Sequence, residues 1–125
     1  MKVLVTGATG FIGNYVIDEL LRQNCLVIAS SVNKQKAEQA SWFSKITYIP
    51  FDFADFDPAI NYYSLFWEPD LMIHLAWEGL PNYKFSFHEE INLPRHLAFL
   101  TNLISNGLND LTVTGTCFEY GMQEG

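Results

Sequence analysis

Cysteine is nearly absent from this sequence. Cys25 and Cys117 are the two it has, in neither a C-x-x-C pair nor a metal-ligand spacing. A disulfide framework and a structural metal site are therefore excluded, and two reduced, packed thiols are expected. Positive charge is scarce too: seven Lys and Arg stand against fourteen Asp and Glu, a formal net charge of −7. With no basic stripe to neutralise phosphates, nucleic acid and anionic membrane are excluded as partners. A single phosphorylated ligand, held by local backbone geometry, is not. No apolar run reaches membrane-spanning length. Met1-Lys2 leads straight into a short strand-like stretch and a glycine-rich turn, which leaves no room for a signal peptide's apolar region. A cytoplasmic location is the expectation. Repeats, low-complexity segments and linkers are lacking as well, so the chain reads as one domain, 1–125.

Short apolar runs alternate with helical patterns. Val3-Leu4-Val5 is a buried strand ending at Gly7. Ile12, Tyr15, Val16 and Leu20 outline the apolar side of a helix that starts at Phe11. Leu26 to Ala29 is a second strand, Lys34 to Phe43 a helix, and Ile46 to Ile49 a third strand stopped by Pro50. A helix is expected within Ala54 to Trp67, started or interrupted by Pro58, then a strand at Leu71-Met72-Ile73. Leu93, Leu97, Leu100 and Ile104 mark a helix stopped at Asn106-Gly107, and Leu111 to Thr114 is the last strand. This alternation predicts an α/β, Rossmann-type doubly wound parallel sheet in strand order 3-2-1-4-5, truncated after strand 5. Its ligand crevice lies at the carboxyl ends of the strands.

The segment Thr6-Gly7-Ala8-Thr9-Gly10-Phe11-Ile12-Gly13 sits between the first strand and first helix. There, Gly7 allows a tight turn, Gly10 lets the backbone approach a pyrophosphate, and Gly13 lets helix and strand pack closely. The helix N-terminus offers N–H groups to the phosphates. A P-loop is excluded, because no Gly-Lys-Ser/Thr follows.

With its opening Thr-Gly and G-x-x-G-x-x-G spacing, this segment resembles the short-chain dehydrogenase/reductase superfamily, in its extended branch of sugar-nucleotide epimerases, dehydratases and ketoreductases. The likeness runs along the whole chain. Asp52-Phe53 is similar to the family's adenine-contacting pair. Asp70-Leu71-Met72-Ile73-His74-Leu75-Ala76-Trp77 resembles its D-x-V-I-H-L-A-A segment, which implies Leu75, Ala76 and Trp77 beside the cofactor. Asn92-Leu93 matches its helix asparagine. Thr114-Gly115-Thr116-Cys117-Phe118-Glu119-Tyr120-Gly121 resembles S-S-x-x-V-Y-G, which implies Thr116 as a catalytic residue. The implied cofactor-binding set also includes Thr9, Phe11 and Ile12. Plainer roles compete with these. Asp52 and Asn92 can cap helices, and His74 suits a hydrogen-bonded core histidine better than a ligand or base.

The family's Y-x-x-x-K is missing. Four residues after the successive tyrosines stand Glu19, Asp52, Phe66, Trp67, Phe87 and Glu124. The chain is therefore expected to be the N-terminal, cofactor-binding part of an enzyme whose acid/base Tyr-Lys pair and substrate domain follow. The resemblance implies NAD(P)-dependent chemistry on a nucleotide-activated sugar, narrowed here to a 4-keto-6-deoxysugar nucleotide reductase. A cofactor-retaining 4-epimerase or 4,6-dehydratase is one alternative, and a non-catalytic NAD(P)-binding module is another. NADP is favoured over NAD. No carboxylate stands between Val27 and Lys34, Ser30 and Ser31 can donate to a phosphate, and Lys34 adds charge. The aromatics Tyr62, Tyr63, Phe66, Trp67, Trp77, Tyr83, Phe85 and Phe87 imply either a contact surface, for a C-terminal half or for a homodimer partner, or a satellite core.

Overall fold

A computed structural model describes residues 1–75 and 93–113. Its centre is β1 (Lys2–Thr6), paired in parallel with β2 (Leu26–Ser30) on one side and β4 (Leu71–His74) on the other. With β3 (Thr47–Tyr48) and β5 (Leu111–Val113) at the edges, the sheet has five strands in the order β3-β2-β1-β4-β5. That is the order expected from the alternation of strands and helices. Register sets Thr6 opposite both Ser30 and His74, and His74 opposite Val113. Ser30, Thr6, His74 and Val113 therefore form one row along the carboxyl edge.

Successive side chains on each strand point to opposite faces, and the core divides accordingly. Leu4, Ile28 and Met72 pack with Phe53, Tyr62, Phe66, Phe99 and Leu103 on one face. Val3, Val5, Val27 and Ala29 pack with Ile17, Ala37 and Trp42 on the other. Each fully buried aliphatic or aromatic side chain contributes about 1.5–3 kcal/mol. Tyr62 and Phe66 thus belong to the core, while Trp67 stays half exposed. Trp77, Tyr83, Phe85 and Phe87 lie outside the described residues.

Several elements differ from the sequence expectation. In α1 (Phe11–Arg22) the buried residues are Gly13 and Ile17, whereas Ile12 and Tyr15 face outward. Gly13 causes this: its close approach to the preceding turn rotates its own side of the helix onto the sheet. The helix expected over Lys34 to Phe43 is α2 (Lys34–Glu38), followed by a 3-10 turn at Phe43–Lys45. The chain leaves the helix so that Trp42 can enter the core. Between Ala54 and Trp67 there are two pieces, a 3-10 turn at Phe53–Asp55 and α3 (Tyr62–Leu65), with Pro58 between them. Strand pairing continues past Pro50, since the N–H groups of Ile49 and Phe51 donate to the carbonyls of Ala29 and Ser31 (3.0 and 3.2 Å). Pro50 takes the intervening edge position, where no N–H is required.

In α4 (Leu93–Ser105) the buried side is His96, Phe99 and Leu103, and Leu97 and Ile104 are exposed. The spacing of the leucines correctly marks a helix but misplaces its inner face, because a histidine and a phenylalanine occupy that face. Asn102 joins this helix to the chain before α3, accepting from the Tyr62 N–H (2.9 Å) and donating to the Ile60 carbonyl (2.8 Å). The expected stop at Gly107 is present. Gly107 has φ +134°, and the Leu108 N–H reaches back to the Leu103 carbonyl (3.0 Å) in a Schellman-type ending.

Candidate functional site

The glycine turn follows β1 directly. Gly7 has φ 67°, a left-handed conformation that costs a residue with a Cβ about 1 kcal/mol or more. Gly13 lies so close to the turn that a Cβ there would stand 2.5 Å from the Ala8 carbonyl oxygen and 2.6 Å from that of Gly7. Both contacts are with backbone, so no side-chain motion relieves them. Gly10 differs. Its φ is −75°, and among the described residues a Cβ there would meet only the Gly7 carbonyl oxygen, at 3.4 Å. Gly10 is also the N-cap of α1, with no side-chain cap and no acidic residue in the first turn. The N–H groups at this end therefore meet no competing anion from the first turn of α1 itself.

Three strand ends are tied to this turn. The Ala8 N–H donates to the Ser30 carbonyl (3.1 Å), fixing the turn to the end of β2. At the end of β4, the Leu75 N–H is shared between the carbonyl and the hydroxyl of Thr6, at 3.2 Å each. The chain after β3 joins through Phe51 and Ser31. Gly7, Thr9, Gly10, Phe11, Ile12, Gly13, Ser30, Ser31, Asp52 and Leu75 are thus gathered at the carboxyl end of the sheet. Phe11 and Ile12 are exposed in the first turn of α1. Lys34 is exposed at the start of α2, whose N-cap Asn33 accepts from the Lys36 N–H (3.0 Å). Asp52 caps the 3-10 turn, accepting from the Ala54 N–H (2.9 Å). Phe53 is buried in the core, so contact with a ligand would have to come from its backbone. Ala76, Trp77, Asn92 and Thr116 lie outside the described residues.

Beneath the site is a buried polar chain. Thr6 Oγ1 is 2.6 Å from His74 Nδ1, and His74 Nε2 is 2.6 Å from His96 Nδ1. Burial, and then the neighbouring His96, push the His74 pKa down to about 3. Burial and the Arg95 guanidinium bring His96 down to about 4. Both rings are therefore neutral near pH 7, and His74 is a hydrogen-bonded core histidine. Phe53 stacks on His96 with centroids 4.4 Å apart.

Sequence reasoning missed three members of the surroundings. His96 shares the α4 face with Phe99 three residues on, a spacing that was there to be read. Asn14 donates to the Gly10 carbonyl (3.2 Å) and accepts from the Trp42 indole N–H (2.6 Å), linking the turn to the core. Tyr48 reaches Ser31 from β3 (2.6 Å between hydroxyls), a contact across strands with no local sequence signal. Among the described residues no group of acidic, His or Cys side chains is suited to a metal, and no helix is long and apolar enough to cross a membrane.

Comparison with known proteins gives the same picture. The dTDP-6-deoxy-L-talose 4-dehydrogenase (NAD(+)) of Aggregatibacter actinomycetemcomitans is 28% identical over 121 residues, which is 97% of this chain but 43% of that protein. The chain therefore spans less than half of this curated relative. Among solved structures, UDP-glucose 4-epimerase from Stenotrophomonas maltophila, with bound NAD and formylated UDP-arabinopyranose, superposes with a TM-score of 0.75 at 20% identity. The match covers 96% of this chain and 38% of that one. Gre2 of Candida albicans in complex with NADPH gives a TM-score of 0.70 at 23% identity, over 93% of this chain and 37% of that one. At these identities the structures establish the fold alone. The family description "NAD dependent epimerase/dehydratase family" matches residues 3–125, nearly the whole chain, and the protein belongs to that family.

Proposed function

We propose that this chain holds the pyrophosphate and adenosine half of a nicotinamide dinucleotide, as the cofactor-binding part of an enzyme acting on a nucleotide-activated sugar. The observation that carries this reading is the difference between the glycines. Gly13 admits no side chain because helix and turn touch, whereas Gly10 is exposed and among the described residues leaves room for a ligand beside uncapped helical N–H groups. A pyrophosphate fits that cradle in both shape and charge. When bound, the nicotinamide supplies the hydride acceptor or donor. The chain's own residues bind and orient. The α1 N-terminus takes the phosphates, the β2 and β3 ends take the adenosine, and Leu75, Ala76 and Trp77 are assigned to the nicotinamide ribose. Asn92 is assigned to support that last segment. Thr116 is the residue assigned to orient the substrate carbonyl by hydrogen bonding.

The narrower reading is a 4-keto-6-deoxysugar nucleotide reductase. It draws support from the relative named as a 4-dehydrogenase of a dTDP-6-deoxysugar, a reaction of the same class. As for the cofactor, exposed Lys34 favours a 2′-phosphate, while the serines on which a preference for NADP also rests are buried and partly committed to other contacts. A homodimer of the full-length protein and a cytoplasmic location are part of this reading. The test is calorimetry of the full-length protein with NAD and NADP, then nicotinamide absorbance with dTDP- and UDP-sugars. Binding of neither dinucleotide would overturn the proposal. Binding without turnover on any nucleotide sugar would favour a non-catalytic module.

A further inference from the structure

We infer that Tyr48 is a specificity-determining residue: by accepting the hydrogen bond of the Ser31 hydroxyl it leaves an acceptor at the end of β2, which selects NAD over NADP. The inference rests on the dinucleotide reading above. Two contacts join these residues. The Tyr48 and Ser31 hydroxyls are 2.6 Å apart, and the Tyr48 hydroxyl lies 3.0 Å from the Ser31 carbonyl oxygen. A carbonyl has no proton to give, so the second contact is a hydrogen bond only when Tyr48 donates. Tyr48 has a single proton. With the Tyr48 proton on the carbonyl, the shorter contact uses the proton of Ser31. The arrangement that gives each contact a proton of its own has Ser31 donating to Tyr48 and Tyr48 donating back to the Ser31 carbonyl.

The consequence is a change in what Ser31 offers a ligand. Free serine both donates and accepts, whereas Ser31 bound in this way presents only lone pairs. A ribose 2′-hydroxyl has a proton to give them. A 2′-phosphate has none, and two acceptors facing each other lose a hydrogen bond while paying for desolvation. NAD-selective sites commonly solve the same problem with a carboxylate, which is likewise acceptor-only. The Ser31–Tyr48 pair is a neutral counterpart.

The location suits this role. Ser31 immediately follows β2, and its neighbour Ser30 accepts the Ala8 N–H of the glycine turn (3.1 Å). The Ser31 carbonyl also accepts from the Phe51 N–H (3.2 Å), which pins the residue between β2 and the chain beyond β3. Ser31 retains 9% exposure at the carboxyl edge of the sheet, with little freedom to turn. Tyr48 is half-buried, packed on the Phe43 ring with centroids 5.8 Å apart, and paired in register with Ala29. Lys34 pulls the other way, but an exposed ammonium is screened by salt and weighs less than a fixed short hydrogen bond.

The experiment is calorimetric titration of the full-length protein with NAD and with NADP, as wild type, Tyr48→Phe and Ser31→Ala. Wild type is expected to bind NAD more tightly. Tyr48→Phe returns the proton to Ser31, and the affinity ratio is expected to move towards NADP by about tenfold. Ser31→Ala, which needs no rearrangement of Tyr48, is expected to weaken NAD several-fold without weakening NADP. Tighter NADP binding by wild type overturns the inference. So does a ratio unmoved by Tyr48→Phe, or, should that variant not fold, NAD affinity unmoved by Ser31→Ala. If wild type binds neither dinucleotide, the underlying reading fails and this inference falls with it.

Discussion

His74 Nε2 and His96 Nδ1 meet at 2.6 Å inside the protein, and this contact joins the end of β4 to the inner face of α4. Both rings are held well below the ordinary histidine value of 6.5, at about 3 and about 4. In the unfolded chain both take up protons as pH falls through 6.5, while the folded protein does not. Their contribution to stability is therefore complete above that pH, declines as pH falls, and levels off below the folded values. Each histidine adds a slope of up to about 1.4 kcal/mol per pH unit. Urea unfolding between pH 7 and about 4 measures this. His96→Phe is expected to lower stability at pH 7, since His74 loses a partner, and to flatten the pH profile. Equal slopes in wild type and variant would refute the assignment.

Gly10 and Gly13 are expected to fail in different ways. Gly13→Ala puts a Cβ 2.5 Å from a backbone oxygen and is expected to cost about 3 kcal/mol or prevent folding. At Gly10 an added Cβ comes no closer than 3.4 Å to the Gly7 carbonyl oxygen, so Gly10→Val is expected to cost about 1 kcal/mol, as a poorer helix cap, while abolishing dinucleotide binding. Thermal unfolding and calorimetry on both variants separate the two effects. Retained affinity in Gly10→Val would remove the pyrophosphate from this turn.

Asn102→Ala is expected to destabilise the protein by about 2 kcal/mol, because the Tyr62 N–H loses its acceptor and the Ile60 carbonyl its donor. Hydrogen exchange at Tyr62 should accelerate by more than at Met72 in the central sheet. Uniform acceleration would mean that the side chain acts on global stability alone.

Lys34→Ala is expected to leave NAD affinity unchanged, because nothing in NAD at the end of β2 needs a cation. Whatever NADP affinity exists should fall, and its dependence on salt should weaken, as for any exposed charge pair. A marked loss of NAD binding would instead place the pyrophosphate near α2.

The features legible in the sequence were those with a local cause. The sheet order followed from five apolar runs separated by helical patterns, and the role of Gly13 from its spacing after Gly7. Helix faces were harder to read. Ile12, Tyr15, Leu97 and Ile104 have the right hydrophobicity and the right spacing, yet each is exposed. Close backbone contact at Gly13 and the aromatic face around Phe99 decided the rotation of those helices, and neither follows from periodicity. Hydrogen bonds between distant residues were out of reach for the same reason. Thr6 and His74 are 68 positions apart, and Ser31 and Tyr48 are 17 apart. Hence both serines read as free donors when Ser31 was already engaged.

Trp42 gives the protein an optical gauge of its own glycine turn. Its indole N–H is bonded to Asn14, whose amide in turn holds the Gly10 carbonyl. Indole emission responds to the field along its N–H, so a ligand that polarised or shifted the Gly10 peptide would alter the light emitted from a ring buried beside α1. Trp67, half exposed at the opposite end of β1, adds a solvent-quenchable signal that an external quencher suppresses selectively. Emission from inside the fold thus reports on the Gly10 peptide, with no dye attached.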